Sequence, residues 1–179
     1  MAAIFQWGEA NGGGQTLASG IGNVNWKNID DNTTAYNAAP ITAGNNSFEK
    51  WQFGIFSGTF NTIQNGFFDH TSGAFGTGIA LSGMVSMTAS GLALSYTTPS
   101  TTKNALLTRD YTPANGSFPT NAAIVFFGAG GPTLSFGKQA STSANPAYTN
   151  YLTTQLCTTA AASAGDTATA TLTLRYDEN

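Results

Sequence analysis

Charge is scarce in this chain: only 8% of its 179 residues are Asp, Glu, Lys or Arg, about a third of the share usual in a globular protein. Six basic residues spread along the sequence and a net charge of -3 release few counterions from a phosphate backbone, which argues against a direct nucleic-acid binder. Cysteine is nearly absent, since Cys157 stands alone. No internal disulfide can form and no Cys/His cluster has zinc spacing, so any staple must come from other chemistry. Histidine is equally rare, and a Ser-His-Asp or Cys-His site would have to use His70. No run approaches the roughly 18 apolar residues of a membrane-spanning helix; the densest, Ala122 to Phe127, has the length of a strand. The first seven residues carry no basic group and the first cation is Lys27, so the start does not read as a secretory signal. The expectation is a chain that folds in the cytoplasm.

What is present is apolar and hydroxylic. Hydrophobic residues make up 41% and aromatics 12%, enough for a real core. The 27 Thr, 16 Asn and 21 Gly disfavour long helices, because Thr is stiff at χ1 and Gly costs backbone entropy. Alternation is the dominant pattern. Ala168, Ala170, Leu172, Leu174 and Tyr176 interleave with Thr167, Thr169, Thr171, Thr173 and Arg175, a half-buried final strand with a threonine outer face. Ile79, Leu81, Val85 and Met87 mark a second strand, paired as a hairpin with Leu92, Leu94 and Tyr96 across Ser90-Gly91. Further strands are expected around Val24 and Trp26, at Trp51, Phe53 and Ile55, from Phe60 to Ile63, at Leu134 and Phe136, and through Tyr148, Leu152 and Leu156 to Cys157. Ile124 to Phe127 is apolar on both faces and reads as a central strand.

Roughly ten short strands between Gly, Asn, Pro and Ser turns predict an all-β protein, an antiparallel β-sandwich with jelly-roll connectivity. Residues 21–179 form the single sandwich domain. Residues 1–20 differ: Ala3, Phe5 and Trp7 share one side of an extended segment before the glycine-rich stretch to Gly14. This reads as an extended N-terminal arm on a flexible hinge, or as an edge strand of the sandwich. As an arm it would be removable: deleting residues 1–10 would leave the sandwich folded.

Constellations with catalytic chemistry are thin. Asp69 neighbours His70 in sequence, but neighbours on a strand point to opposite faces, and His70 reads as a loop histidine at a surface or interface. Glu9, Glu49, Asp69 and Asp110 offer carboxylate pairs without specific spacing. Asp30-Asp31-Asn32 is the one dense set of oxygen ligands, but it lacks EF-hand alternation and reads as a turn. The Gly128 to Pro132 stretch looks like a phosphate loop until Pro132 and the missing Lys-Ser/Thr make it a tight turn. No enzyme, cofactor or metal is expected.

Large apolar residues exceed what such a small domain need hide. Phe5, Trp7, Phe48, Phe56, Phe67, Phe68, Phe75 and Phe118 sit in segments without a clean inward register, so part of this set is expected to be buried on a partner. Ile4, Phe5, Trp7, Phe67 and Phe68 are the candidate partner or subunit contacts.

The N-terminal extended segment, the Gly/Thr/Asn-rich body and the ending Thr171-Leu172-Thr173-Leu174-Arg175-Tyr176-Asp177-Glu178 resemble the small structural proteins of tailed-phage virions, most of all capsid decoration, or cement, proteins. The resemblance implies a β-rich homotrimer on the capsid exterior, made in the host cytoplasm, with the major capsid protein as partner and no nucleic-acid or membrane contact. A carbohydrate-binding or receptor-binding module of a phage tail is the alternative, with Trp26, Trp51 or Tyr111 stacking on a sugar.

Overall fold

A computed structural model describes residues 3–61, 63–85, 96–107, 109–111, 125–127, 146–149, 151–163, 165 and 169–178. The protein is all-β with antiparallel sheets, as its alternation predicts. One sheet carries β1 (Ala3–Asn11), β2 (Thr16–Ser19), β3 (Lys50–Gly58), β5 (Ile79–Val85), β6 (Arg109–Asp110), β8 (Ala147–Tyr148) and β9 (Leu152–Thr158). Its order is β2-β1-β3-β9-β5-β6, with β8 also on β3. The second sheet runs β10-β4-β7, from β10 (Thr171–Glu178), β4 (Ile63–Ser72) and β7 (Val125–Phe127). The one helical turn among the described residues is a 3₁₀ turn at Tyr36–Ala38. Connections that would define a jelly roll run through residues outside this set. So do the expected strands at Leu92–Leu94 and Leu134–Phe136 and the turn at Gly128–Pro132.

Period-2 geometry divides the larger sheet into two faces. Register pairs Phe5 with Phe56 and Trp7 with Gly54 on β1 and β3, and Leu81 with Leu156 on β5 and β9. These residues, with Leu152, turn towards the second sheet and share one core with Ile63 and Phe68 of β4 and Leu172, Leu174 and Tyr176 of β10. The rings interlock edge to face: Phe56 meets Tyr176 at 4.8 Å between centroids and Trp7 meets Phe68 at 6.1 Å, contacts worth about 0.5–1.5 kcal/mol each beyond area burial. On the opposite face Trp51, Phe53, Ala10 and Tyr151 form a second cluster, with Tyr96 and Tyr148 against it. Gly8 is required there, because a Cβ would sit 2.4 Å from the Phe53 ring.

Several sequence expectations are corrected. Residues around Val24 and Trp26 are irregular rather than a strand; the chain is held there by the Trp26 Nε1–H bond to Thr154 Oγ1 at 3.1 Å. The short strand at Phe60–Ile63 begins only at Ile63 and continues to Ser72, taking Phe67 to His70 into the middle of its sheet. His70 is fully buried, its Nε2 2.8 Å from the Ser72 carbonyl and its ring against Phe75, so it is a core histidine and not a surface one. Tyr148 does not share a face with Leu152 and Leu156: β8 and β9 are separate pieces, interrupted where Thr149 exchanges bonds with Gly54. Val125–Phe127, within the expected central strand Ile124 to Phe127, pairs with β4, and its flanking segments lie outside the described residues.

Within residues 1–20, the candidate arm or edge segment, Ala3–Asn11 form β1, bonded to β3 along most of its length and to β2 (Thr16–Ser19) over Gly8–Asn11. The outer edge of residues 3–6 has no strand partner among the described residues. Ala3 N there donates to Glu178 Oε1 at 3.0 Å.

Candidate functional site

Two features of the β1–β2–β3 end stand out, an inner one made of charge and an outer one made of apolar surface. The inner one follows from alternation. Continuing the core-facing series Phe5, Trp7 along β1 gives Glu9 and Asn11, and continuing Phe56, Gly54 back along β3 gives Gln52 and Lys50. The polar half of this face is covered by the loop from Lys27 to Thr34 and not by the second sheet. Glu9 and Lys50 are each 1% exposed, and Lys50 Nζ donates to Glu9 Oε1 at 2.8 Å and to the Asp31 carbonyl at 2.9 Å. Lys27, also 1% exposed, donates to Asp31 Oδ1 at 2.7 Å and to the Thr34 carbonyl. Asp30 Oδ2 accepts from Gly12 N at 2.7 Å. The Asn11 amide, oriented by surroundings that offer its nitrogen only acceptors, places Nδ2 2.9 Å from Glu9 Oε1 and 3.1 Å from Asp30 Oδ1.

The electrostatics follow from this packing. Burial pushes the Asp31 carboxyl up, but the Lys27 ammonium and hydrogen bonds from Thr34 and Thr33 outweigh it and hold the group well below the usual carboxylate range. Glu49, 3% exposed on the other face, is driven up by burial despite bonds from Trp51, Asn104 and Ser100. Tyr96, whose hydroxyl donates to the Gly12 carbonyl at 2.6 Å, is raised by burial and by the nearby Asp30, Tyr151 and Glu49. Six of the fifteen charged side chains, Glu9, Lys27, Asp30, Asp31, Glu49 and Lys50, thus gather at one end of β3. The Asp30-Asp31-Asn32 segment is the turn expected from sequence, its Asp31 carboxylate bonded to the Thr33 and Thr34 amides. Among the described residues no group of three or more His, Cys, Asp or Glu is placed to hold a metal ion.

The outer feature is a strip on the opposite face. Ile4 is 58% exposed and Leu17, which faces Ala10 across the β1–β2 register, is 49% exposed. Half-buried Ile55 lies on the same face of β3, paired with Gln6 of β1. Of the four contact residues expected from sequence whose side chains are described, Ile4 is the one the structure leaves open. Phe5 and Trp7 pack half-buried against the common core and Phe68 is 1% exposed within it; alternation turns them inward, so they are corrected from surface contacts to core. The Phe67 side chain lies outside the described residues. Phe56 and Phe75 are likewise core, and Trp51 and Tyr111 are each 1% exposed, which removes two of the three rings considered for sugar stacking. A shallow depression of about 550 Å³ lies between β5 and the segment from Lys103 to Leu107, with Ser82 and Asp110 on its wall. Burial pushes the nearby Cys157 thiol up, the reverse of what activates a nucleophile.

The buried Glu9–Lys50 pair was missed in the sequence reading, although its signal is there: in a chain this poor in charge, Glu9 falls on the same period-2 register as Ala3, Phe5 and Trp7. No family model, curated protein or solved structure matches the chain. Among the described residues no helix is long and apolar enough to cross a membrane.

Proposed function

We propose that this chain is a non-catalytic structural protein of a virion, a capsid decoration protein that associates with itself as a homotrimer and with the major capsid protein on the particle exterior. The observation that carries the reading is the β1–β2 corner, where exposed Ile4 and Leu17 share the outer face beside an edge that has no strand partner over residues 3–6 among the described residues. An open edge and exposed aliphatic side chains are liabilities in a monomer and contact surface in an assembly. The inward placement of charge supports the same reading, because it leaves a Thr- and Asn-rich exterior whose contacts are hydrogen bonds and apolar packing, little affected by salt.

Closed threefold symmetry would bury three such corners without propagating into fibres. Light scattering on the purified chain is the first test. The wild type should have the mass of a trimer, and the double variant Ile4→Lys, Leu17→Lys should run as a folded monomer with an unchanged far-ultraviolet dichroism spectrum. A wild-type monomer, or a trimer indifferent to both substitutions, would remove the corner from the assembly account.

A further inference from the structure

Glu9, Asn11 and Lys50 form a set whose chemistry exceeds that of an ion pair. The β1–β3 register runs to Ala10↔Trp51, and its next step sets Asn11 opposite Lys50. Cross-strand neighbours on one face have Cβ atoms about 4.5–5.5 Å apart, within easy reach of a lysine side chain. Glu9 Oε1 joins the two, 2.8 Å from Lys50 Nζ and 2.9 Å from Asn11 Nδ2. All three are buried, at 1%, 8% and 1% exposure for Glu9, Asn11 and Lys50, and the loop bearing Asp30 and Asp31 closes over them. We infer that Lys50 and Asn11 are joined by an intramolecular amide bond, formed by the folded protein with Glu9 as its acid–base group.

The step balances without an outside reagent. Lys50 passes a proton from Nζ to Glu9 along their hydrogen bond, which turns a buried ion pair into a neutral pair and frees the nitrogen lone pair. Nζ attacks Asn11 Cγ, and the C–N bond forms as the carbonyl π pair moves to oxygen. Glu9 returns a proton to Nδ2, the Cγ–Nδ2 bond breaks, and Nδ2 leaves with the bonding pair as ammonia. The second proton lost from Nζ goes with it as ammonium. One lysine ammonium and one primary amide become one secondary amide and one ammonium ion. Asp30 Oδ1, 3.1 Å from Nδ2, helps hold the leaving nitrogen away from Lys50. Fixed proximity in a water-poor site supplies what the same groups lack in solution.

The product is a staple between β1 and β3 in a chain with no possible internal disulfide. It fastens the strand that carries Ile4, and its chemistry is independent of where the protein sits. The test is the intact mass of the purified wild-type chain, followed by trypsin digestion after denaturation. The expected mass is lower than the sequence mass by one ammonia. The expected digest contains residues 1–27 joined to an uncleaved 28–103, because Lys50 is blocked. Lys50→Met, Asn11→Ala and Glu9→Gln should each restore the full mass expected for their sequence. Full mass in the folded wild type overturns the inference. So does ammonia loss without the branched peptide, or loss that persists in Lys50→Met, since either result reports a succinimide at Asn11-Gly12 instead. The wild-type readouts decide the matter even if a variant fails to fold.

Discussion

Replacing Glu9 with alanine should destabilise the protein by about 3–5 kcal/mol, the usual cost of leaving one member of a buried ion pair without the other. Lys50 is 1% exposed and its remaining partner is the Asp31 carbonyl, which offers a dipole in place of a full charge. Because Glu9→Ala also blocks the amide bond, Lys50 remains a buried, uncompensated ammonium in the variant, and loss of the staple can only add to the cost. The double variant Glu9→Ala, Lys50→Met should recover the part of the loss due to the unpaired ammonium, since apolar replacement of a whole buried pair is often close to neutral. Urea unfolding of the four proteins measures both effects. A Glu9→Ala cost below about 1 kcal/mol, the range of exposed pairs, would mean that the pair is solvated.

Deleting residues 1–10 should abolish cooperative unfolding, contrary to what a detachable arm would allow. The deletion removes β1 from between β2 and β3. It takes Phe5 and Trp7 out of the common core, each worth roughly 1.5–3 kcal/mol if fully buried. It also strands Lys50. These terms together rival the about 5–15 kcal/mol of stability available to a domain. The truncated chain should therefore give a broad, sloping denaturation curve and bind hydrophobic dyes. A sharp transition near the wild-type midpoint would restore the arm.

How much of this was legible in the sequence depends on what each position does. β10 was readable because its inward Leu172, Leu174 and Tyr176 and its outward threonines match the two environments of a strand with one buried face. The strand built on Trp51 was readable from the period-2 recurrence of Trp51, Phe53 and Ile55, although β3 is buried on both faces over Lys50–Gly54. β1 was harder: Gly8, Glu9 and Asn11 look like the start of a loop, and nothing local reveals that Gly8 makes room for the Phe53 ring or that Glu9 faces a lysine 41 positions away. Pairing of that kind is fixed by tertiary contact, which propensity does not see. The aromatic residues of β4 misled in the opposite direction, because two adjacent phenylalanines give no alternation, yet Phe68 is one of the largest fully buried side chains. Of the expected contacts whose side chains are described, Ile4 is the exposed one, and its companion Leu17 passed unnoticed inside a short polar strand.

The proposed decoration role, in which trimerisation through the β1–β2 corner makes capsid binding avid, is tested most directly by binding to undecorated particles followed by their heat resistance across a salt series. Wild-type protein should cosediment with the particles and raise their rupture temperature, with little loss as salt rises. The Ile4→Lys, Leu17→Lys variant should do neither while remaining folded. Wild-type protein that neither binds nor reinforces the particles, or a double variant that does both as well as wild type, would contradict the account.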